Sequence, residues 1–137
     1  MAIRVIAIGV VRRGSAILVF EGRDPLRPGC YFRPLGGGVE DGEHSREALA
    51  REFREEIGAE IVEPRLLGVL ENRFQYDGKP RHEIVFVYEC ALADRALYER
   101  ERFEVSDEPF GAAWQPLDGF GPERRLVPEG LQALLAP

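Results

Sequence analysis

A chain of 137 residues with 45% apolar and 31% charged residues has the size and composition of one soluble globular domain with a core of its own. Its net charge of −6 argues against a surface that binds nucleic acid or anionic membrane, so a polyanionic ligand would need a local cationic site or a bound metal ion. We therefore expect a single domain over residues 1–137 without nucleic-acid or membrane partners, and the sequence leaves a homodimer open.

The cysteines and the N-terminal residues indicate the cellular compartment of the protein. Cys30 and Cys90 have no C-x-x-C spacing and no paired histidines accompany them, which argues against a structural zinc site and a disulfide framework. The apolar N-terminal segment is interrupted by Arg4 and has no small-residue cleavage site, so it is typical of a strand and not of a signal peptide. No apolar run approaches the length of a membrane span. We expect reduced thiols and a cytoplasmic location.

The first forty residues are typical of strands and loops. β-branched residues predict a strand over residues 3–11, and a short turn leads to a second strand over residues 16–21, expected to be its hairpin partner. Two prolines and two glycines in residues 22–29 indicate a loop. Short extended pieces are predicted at residues 31–33 and 38–40.

A helix is predicted next, with Ser45 as its N-cap and Gly58 as its stop. Strands over residues 65–76 and 81–92 flank Asp77-Gly78, a strong hairpin signal. A helical turn within residues 94–102, a last strand over residues 112–116 and a C-terminal helix with Pro128 at its first position complete the prediction. This order predicts an α/β (α+β) sandwich.

The predicted central helix carries an acidic stripe beside an apolar one. With about 100° per residue, Glu52, Glu55 and Glu56 fill an arc of about 100°. The apolar stripe beside it is formed by Leu49, Phe53 and Ile57. Carboxylates spaced i,i+3 and i,i+4 repel one another, and clustered oxygens without a compensating lysine are what Mg²⁺ or Mn²⁺ requires. A solvated acidic face is the alternative interpretation.

Residues 37–59 form the pattern G-x5-E-x7-R-E-F-x-E-E-x-G-A. It resembles the Nudix box of the Nudix hydrolase family, G-x5-E-x7-R-E-U-x-E-E-x-G-U, in which U is a bulky aliphatic residue. All seven fixed positions are present, at Gly37, Glu43, Arg51, Glu52, Glu55, Glu56 and Gly58. Phe53 and Ala59 depart from the pattern only at packing positions. The resemblance implies a Nudix-like α/β/α sandwich with a central mixed sheet.

The resemblance also implies an activity. This is metal-dependent hydrolysis of the diphosphate linkage in a nucleoside diphosphate joined to another moiety, such as a nucleotide sugar, ADP-ribose, a dinucleotide or an (oxidised) nucleoside triphosphate. Glu52, Glu55 and Glu56 would bind Mg²⁺ or Mn²⁺, and one of them would also act as general base. The carbonyl of Gly36 is a further expected ligand.

Three more residues of the box are expected to support these ligands. Arg51 would orient the acids, although an ordinary i,i+4 pair with Glu55 is the plainer interpretation. Glu43 would fix the loop geometry, and Gly37 would let the backbone approach the metal.

Substrate contacts are expected outside the box. Arg23, Arg27 and Arg33 are candidates for phosphate or ribose contacts, and Phe74 or Tyr76 for base stacking, against the plainer interpretations of surface arginines and hairpin aromatics. The family often adds a distal acid near the last strands, for which Glu104 and Glu108 are the candidates.

Two alternative functions stay open. The first is a non-catalytic Nudix-fold module that senses a nucleotide, which the three retained, mutually repelling glutamates disfavour. The second is an RNA 5′-end pyrophosphohydrolase, which the lack of a basic strip disfavours. The sequence does not choose among substrates, because selectivity depends on loop geometry outside the box.

Overall fold

The computed structural model describes residues 2–136, and within that range the chain forms nine strands, two α-helices and one 3-10 helix. In chain order these are β1 (Arg4–Val10), β2 (Arg12–Arg13), β3 (Ala16–Gly22), β4 (Cys30–Gly38), α1 (Ser45–Ile57), β5 (Ile61–Tyr76), β6 (Lys79–Leu92), the 3-10 helix (Arg95–Glu99), β7 (Arg102–Val105), β8 (Glu108–Pro116), β9 (Arg124–Leu126) and α2 (Leu131–Leu135).

The sheet is mixed, as the sequence predicts. Its strands lie in the order β5-β6-β1-β4-β3-β8-β7, with β2 pairing with β3 and β9 with β4. Strand β1 runs parallel to β6, where Ile6 pairs with Val85, and antiparallel to β4, where Ile8 pairs with Gly36.

Each face of the sheet is covered by one helix. Successive side chains of β1 point to opposite faces, so Ala7 lies in one buried cluster and Ile6, Ile8 and Val10 lie in the other. The first cluster includes Leu49 and Phe53 of α1, and the second includes Leu131 and Leu135 of α2. The predicted apolar stripe of α1 therefore packs on the sheet, which leaves its acidic stripe at the margin of that contact.

Strand β4 changes partners in its middle, between Pro34 and Leu35. It pairs with β3 up to Pro34, opposite Val19, and with β1 from Leu35, opposite Gly9. A proline is tolerated here because it cannot donate to a ladder, and the ladder changes at this residue. The pieces predicted at residues 31–33 and 38–40 are not separate: β4 runs continuously through the first and ends at Gly38, so residues 39–40 lie outside it.

Two predicted strand assignments are wrong. Strand β1 is not the hairpin partner of β3, because both edges of β1 are taken by β4 and β6; the short β2 forms the hairpin with β3, where Arg12 pairs with Ile17. The strand predicted around Trp114 exists as part of β8, but β9 follows it in the chain. The turn at Asp77-Gly78 and the helical turn at Arg95–Glu99 are confirmed.

Both helix starts also differ from prediction. The N-cap of α1 is His44, whose Nδ1 accepts from Arg46 N at 3.1 Å, while the Ser45 hydroxyl is buried against the Tyr88 hydroxyl at 2.6 Å. Helix α2 begins at Leu131, after Gly130, and Pro128 lies outside it. No helix within residues 2–136 is long and apolar enough to cross a membrane.

Candidate active site

A cleft of about 890 Å³ opens beside the second half of β4. One part is lined by backbone of Gly36, Gly37 and Gly38 and by the glutamates of α1; the rest is lined by arginine and aromatic side chains. The predicted residues that line it are Arg27, Arg33, Gly36, Gly37, Glu52, Glu55, Glu56, Phe74, Tyr76 and Glu108. Groups separated by up to 81 positions in the chain, from Arg27 to Glu108, therefore share one cavity.

Arg51 is the centre of an ion-pair network behind the cleft. It donates to both oxygens of Glu43, from Nε at 2.7 Å and Nη2 at 3.0 Å, and to Glu52 Oε2 from Nη1 at 2.8 Å. The same Nη1 lies 3.3 Å from both Glu55 oxygens, and Nη2 donates to Gly38 O at 2.8 Å. Arg51 thus contacts far more than its i,i+4 partner and fixes α1 to the loop that precedes it.

The network holds Glu43 ionised. Its hydrogen bonds with Arg51, aided by the bond that Glu40 N donates to it, lower the pKa of Glu43 to about 2. The hydrogen bonds that Arg51 donates to Glu43, with smaller contributions from those to Glu52 and Glu55, raise the pKa of Arg51.

Glu56 has a different environment. Its Oε1 accepts a hydrogen bond from Gly36 N at 3.0 Å. Burial raises the pKa of Glu56 to about 7, with a further contribution from Glu52 and an opposing one from Arg33. Glu52, which accepts from Arg51, and the half-buried Glu56 thus have different surroundings although they lie only four residues apart on one helix.

Two glycines are needed for close approach. A Cβ on Gly37 would lie 2.5 Å from Glu52 Cδ, so this carboxylate packs directly on the backbone. At Gly36 the φ angle is 149° and a Cβ would overlap Ala7 O of the neighbouring strand, so only glycine fits there.

The predicted metal ligands share the cleft without converging. Among residues 2–136, no set of three or more His, Cys, Asp or Glu side chains is arranged to hold a metal ion. The reason is that each group has another partner: Arg51 binds Glu52 and Glu55, and Glu56 accepts from Gly36 N. The chemical type of these donors does fit a hard divalent cation, because Mg²⁺ and Mn²⁺ prefer carboxylate and carbonyl oxygens.

Arg33 reaches the carbonyl that the sequence predicts as a metal ligand. Its Nη2 donates to Gly36 O at 3.0 Å, and its guanidinium lies over the Phe20 ring, 4.9 Å from the centroid. Its Nε is buried and has no hydrogen-bond partner in the described part of the chain. The position of Arg33 was predicted as a substrate contact, but nothing in the sequence signals this contact with Gly36.

The structure separates the two candidates for a distal acid. Glu108 lines the cleft, and burial raises its pKa while Arg33 opposes the shift. Ser106 N donates to Glu56 O at 3.1 Å, which ties the β7–β8 turn to the end of α1 and sets Glu108 near it. Glu104 is absent from the cleft lining, because the alternation of β7 buries its neighbours and leaves it exposed on the other face.

Among the three candidate arginines, Arg23 does not line the cleft. It pairs with Glu21 at 2.7 Å and lies over the Phe110 ring, 4.5 Å from the centroid, so it is held on the outer side of its loop. Arg27 and Arg33 do line the cleft.

Asp24 also lines the cleft and was missed by the sequence prediction. It is 6% exposed, and its Oδ1 accepts from Leu26 N at 3.0 Å and from Asp77 N at 3.1 Å. It therefore joins the loop after β3 to the tip of the β5–β6 hairpin that carries Phe74 and Tyr76. The sequence shows only an Asp-Pro turn signal, without its distant partner.

A family model for the NUDIX domain matches residues 2–134. A nucleoside triphosphatase, NudI of Escherichia coli, is 32% identical over 76 residues, which are 50% of this chain and 54% of the relative. The chain thus spans about half the length of the curated relatives it matches.

Two solved structures share the fold. The MutT NUDIX hydrolase from Burkholderia pseudomallei has a TM-score of 0.70 at 22% identity over 98% of both chains. A UDP-X diphosphatase has a TM-score of 0.63 at 21% identity over 98% of this chain and 62% of that one. The fold class and the resemblance are both confirmed. With a family model matching nearly its full length, the chain belongs to the NUDIX domain family.

Proposed function

We propose that this protein hydrolyses the diphosphate linkage of a nucleoside diphosphate derivative with the help of Mg²⁺ or Mn²⁺. The observation that carries the proposal is the shared cleft, in which the three glutamates of α1 meet arginine and aromatic side chains from other elements. A cation site at one part and a nucleotide-sized cavity beside it are what this reaction needs.

Glu52, Glu55 and Glu56, with the carbonyl of Gly36, are the groups that would hold the cation. A bound divalent cation supplies charge neutralisation at the phosphate oxygens and a lowered pKa for water. Arg51 positions Glu52 and Glu55 through its hydrogen bonds and does not itself line the cleft. It is therefore a positioning residue.

The remaining cleft residues would bind the substrate. Arg27 and Arg33 offer positive charge to phosphate groups, and Phe74 and Tyr76 on the hairpin offer aromatic faces to a base. Glu108, half-buried near Arg33 and Glu56, is the distal acid that could accept a proton.

The substrate we favour is a nucleoside triphosphate, with nucleotide sugars next. The relative in Escherichia coli is a nucleoside triphosphatase, and one protein of similar fold is a UDP-X diphosphatase. ADP-ribose and dinucleotides complete the set to be screened. We also propose a cytoplasmic location, with which the two free, buried cysteines Cys30 and Cys90 agree.

The test is a screen of these nucleotides with Mg²⁺ or Mn²⁺, followed by Glu55→Gln on the best substrate. Glu55 is the most exposed of the three acids, so the variant should stay folded while turnover falls by about a hundredfold or more. Glu60→Gln, an exposed acid beyond the end of α1, is the matched control and should keep full turnover.

Near-normal turnover of Glu55→Gln at saturating metal would refute its role. Nucleotide binding without product under any metal condition would support the sensing module instead. Release of pyrophosphate from triphosphorylated RNA in preference to free nucleotides would support the RNA-directed alternative.

A further inference from the structure

Arg33 is the internal cation nearest to the carbonyl expected to bind metal. Its Nη2 donates to Gly36 O at 3.0 Å, and both residues lie on β4, on either side of the point where that strand changes partners. A guanidinium and a divalent cation compete for the same carbonyl, because each seeks oxygen lone pairs and they repel each other.

The surroundings of Arg33 are those of a cation site. The guanidinium lies over the Phe20 ring, and its charge acts on Glu56 from α1 and on Glu108 from β8. Arg33 is thus surrounded by an aromatic ring, two carboxylates and a carbonyl, which come from four different helices or strands.

The hydrogen bonding of Arg33 is incomplete. Its Nε is buried without a partner within residues 2–136, although buried donors are nearly always paired. A guanidinium has five N–H donors in a planar fork that matches a phosphate group. Within residues 2–136, Nη2 is the single nitrogen of Arg33 that donates a hydrogen bond, and the residue lines a cleft proposed to bind phosphate.

We propose that Arg33 and a divalent cation compete for the Gly36 carbonyl, that the cation displaces the guanidinium, and that the released guanidinium binds a substrate phosphate. The inference rests on the proposed function of the cleft. In this role Arg33 weakens metal binding and strengthens nucleotide binding. The binding of metal and the binding of substrate are therefore coupled. If Arg33 only held Gly36 in place, it would instead strengthen the binding of both metal and nucleotide.

The first experiment measures Mn²⁺ binding without nucleotide, by the electron paramagnetic resonance of free Mn²⁺ at pH 8.0. Arg33→Met should bind Mn²⁺ about tenfold more tightly than the wild type, because one opposing unit charge at contact distance is removed. Arg33→Lys keeps the charge and should stay near the wild type. Arg27→Met, an exposed arginine of the same cleft, should change the affinity less than about twofold because screening weakens exposed charges.

The second experiment measures ADP binding in saturating Mg²⁺ by calorimetry. Arg33→Met should weaken it by about tenfold, and Arg33→Lys by less, because lysine keeps the charge without the planar fork. Unchanged or weaker Mn²⁺ binding by folded Arg33→Met would overturn the inference, as would unchanged ADP binding.

A third measurement does not depend on the folding of Arg33→Met. In the wild type, Mg²⁺ should shift the ¹H–¹⁵N resonance of Arg33 Nε, assigned by its absence in Arg33→Lys, and an unmoved resonance at saturating Mg²⁺ would overturn the displacement. Failure of the wild type to bind Mn²⁺ would overturn both this inference and the proposed function. Metal binding and turnover in the wild type without tighter binding by Arg33→Met would overturn this inference alone.

Discussion

Arg51→Met should destabilise the protein and disorder the acids at once. Arg51 makes hydrogen bonds to Glu43, Glu52 and Gly38 O at 2.7 to 3.0 Å, and its side chain is only 21% exposed. Methionine has similar length without charge, so the change leaves the carboxylates facing one another and the Gly38 carbonyl without its donor.

The expected loss is about 2 kcal/mol in the free energy of unfolding. Hydrogen bonds with charged groups contribute roughly 1.5–3 kcal/mol each where water is excluded. Arg51 makes several such bonds, but its position is partly exposed, so water replaces part of their contribution. For a domain of this size, that loss lowers the melting temperature by about 7 °C. Glu43→Gln should cost less in the Arg51→Met background than in the wild type, because its partner is already gone.

The assay is urea unfolding of the metal-free protein at pH 7, followed by circular dichroism. Arg46→Met is the control, since Arg46 is an exposed arginine of the same helix without an ion pair in the described residues. Arg51→Lys should recover part of the loss. A cost below about 0.5 kcal/mol for Arg51→Met, the size of an ordinary surface change, would refute the network as a source of stability.

The remaining predictions concern acid and the two close-packed glycines. Arg51 lowers the pKa of Glu43 from 4.5 to about 2, so the contribution of Glu43 to stability is full above pH 4.5 and is lost as pH falls towards 2. Between pH 6 and 2, the melting temperature should therefore fall less steeply for Glu43→Gln than for the wild type. Parallel curves of melting temperature against pH would contradict this. Gly37→Ala should shift stability by less than about 1 kcal/mol, because the displaced Glu52 is flexible, yet weaken Mn²⁺ binding by about tenfold or more. Gly36→Ala should cost about 3 kcal/mol or more, because its Cβ meets backbone at Ala7, and equal melting temperatures for the two variants would contradict both expectations.

Local signals predicted the elements whose causes lie within a few residues. The stripes of α1 follow from a 3.6-residue period, and its end follows from Gly58, whose φ of 67° suits glycine and whose N–H bonds to Arg54 O. The turn at Asp77-Gly78 likewise needs two residues with positive φ, at 54° and 73°.

Features that depend on contacts between residues far apart in the chain were not predicted from the sequence. Ser45 has the right chemistry for an N-cap, but its hydroxyl bonds to Tyr88, 43 residues away, and His44 caps the helix instead. The neighbours of β1 were assigned wrongly for the same reason, since register depends on which apolar faces meet and not on which strand comes next.

For the site, the sequence by itself determined which groups of α1 are predicted to carry the chemistry. The spacing of Glu52, Glu55 and Glu56 places them on one helical face, because that geometry depends only on the helix. Only the tertiary structure decided which groups join them in the cleft, because packing places Glu108 there and not Glu104, and Arg27 and Arg33 but not Arg23. The physical reason is that a loop or strand residue gains its position from contacts with residues far along the chain, and Arg33 on the Gly36 carbonyl depends on where β4 changes partners.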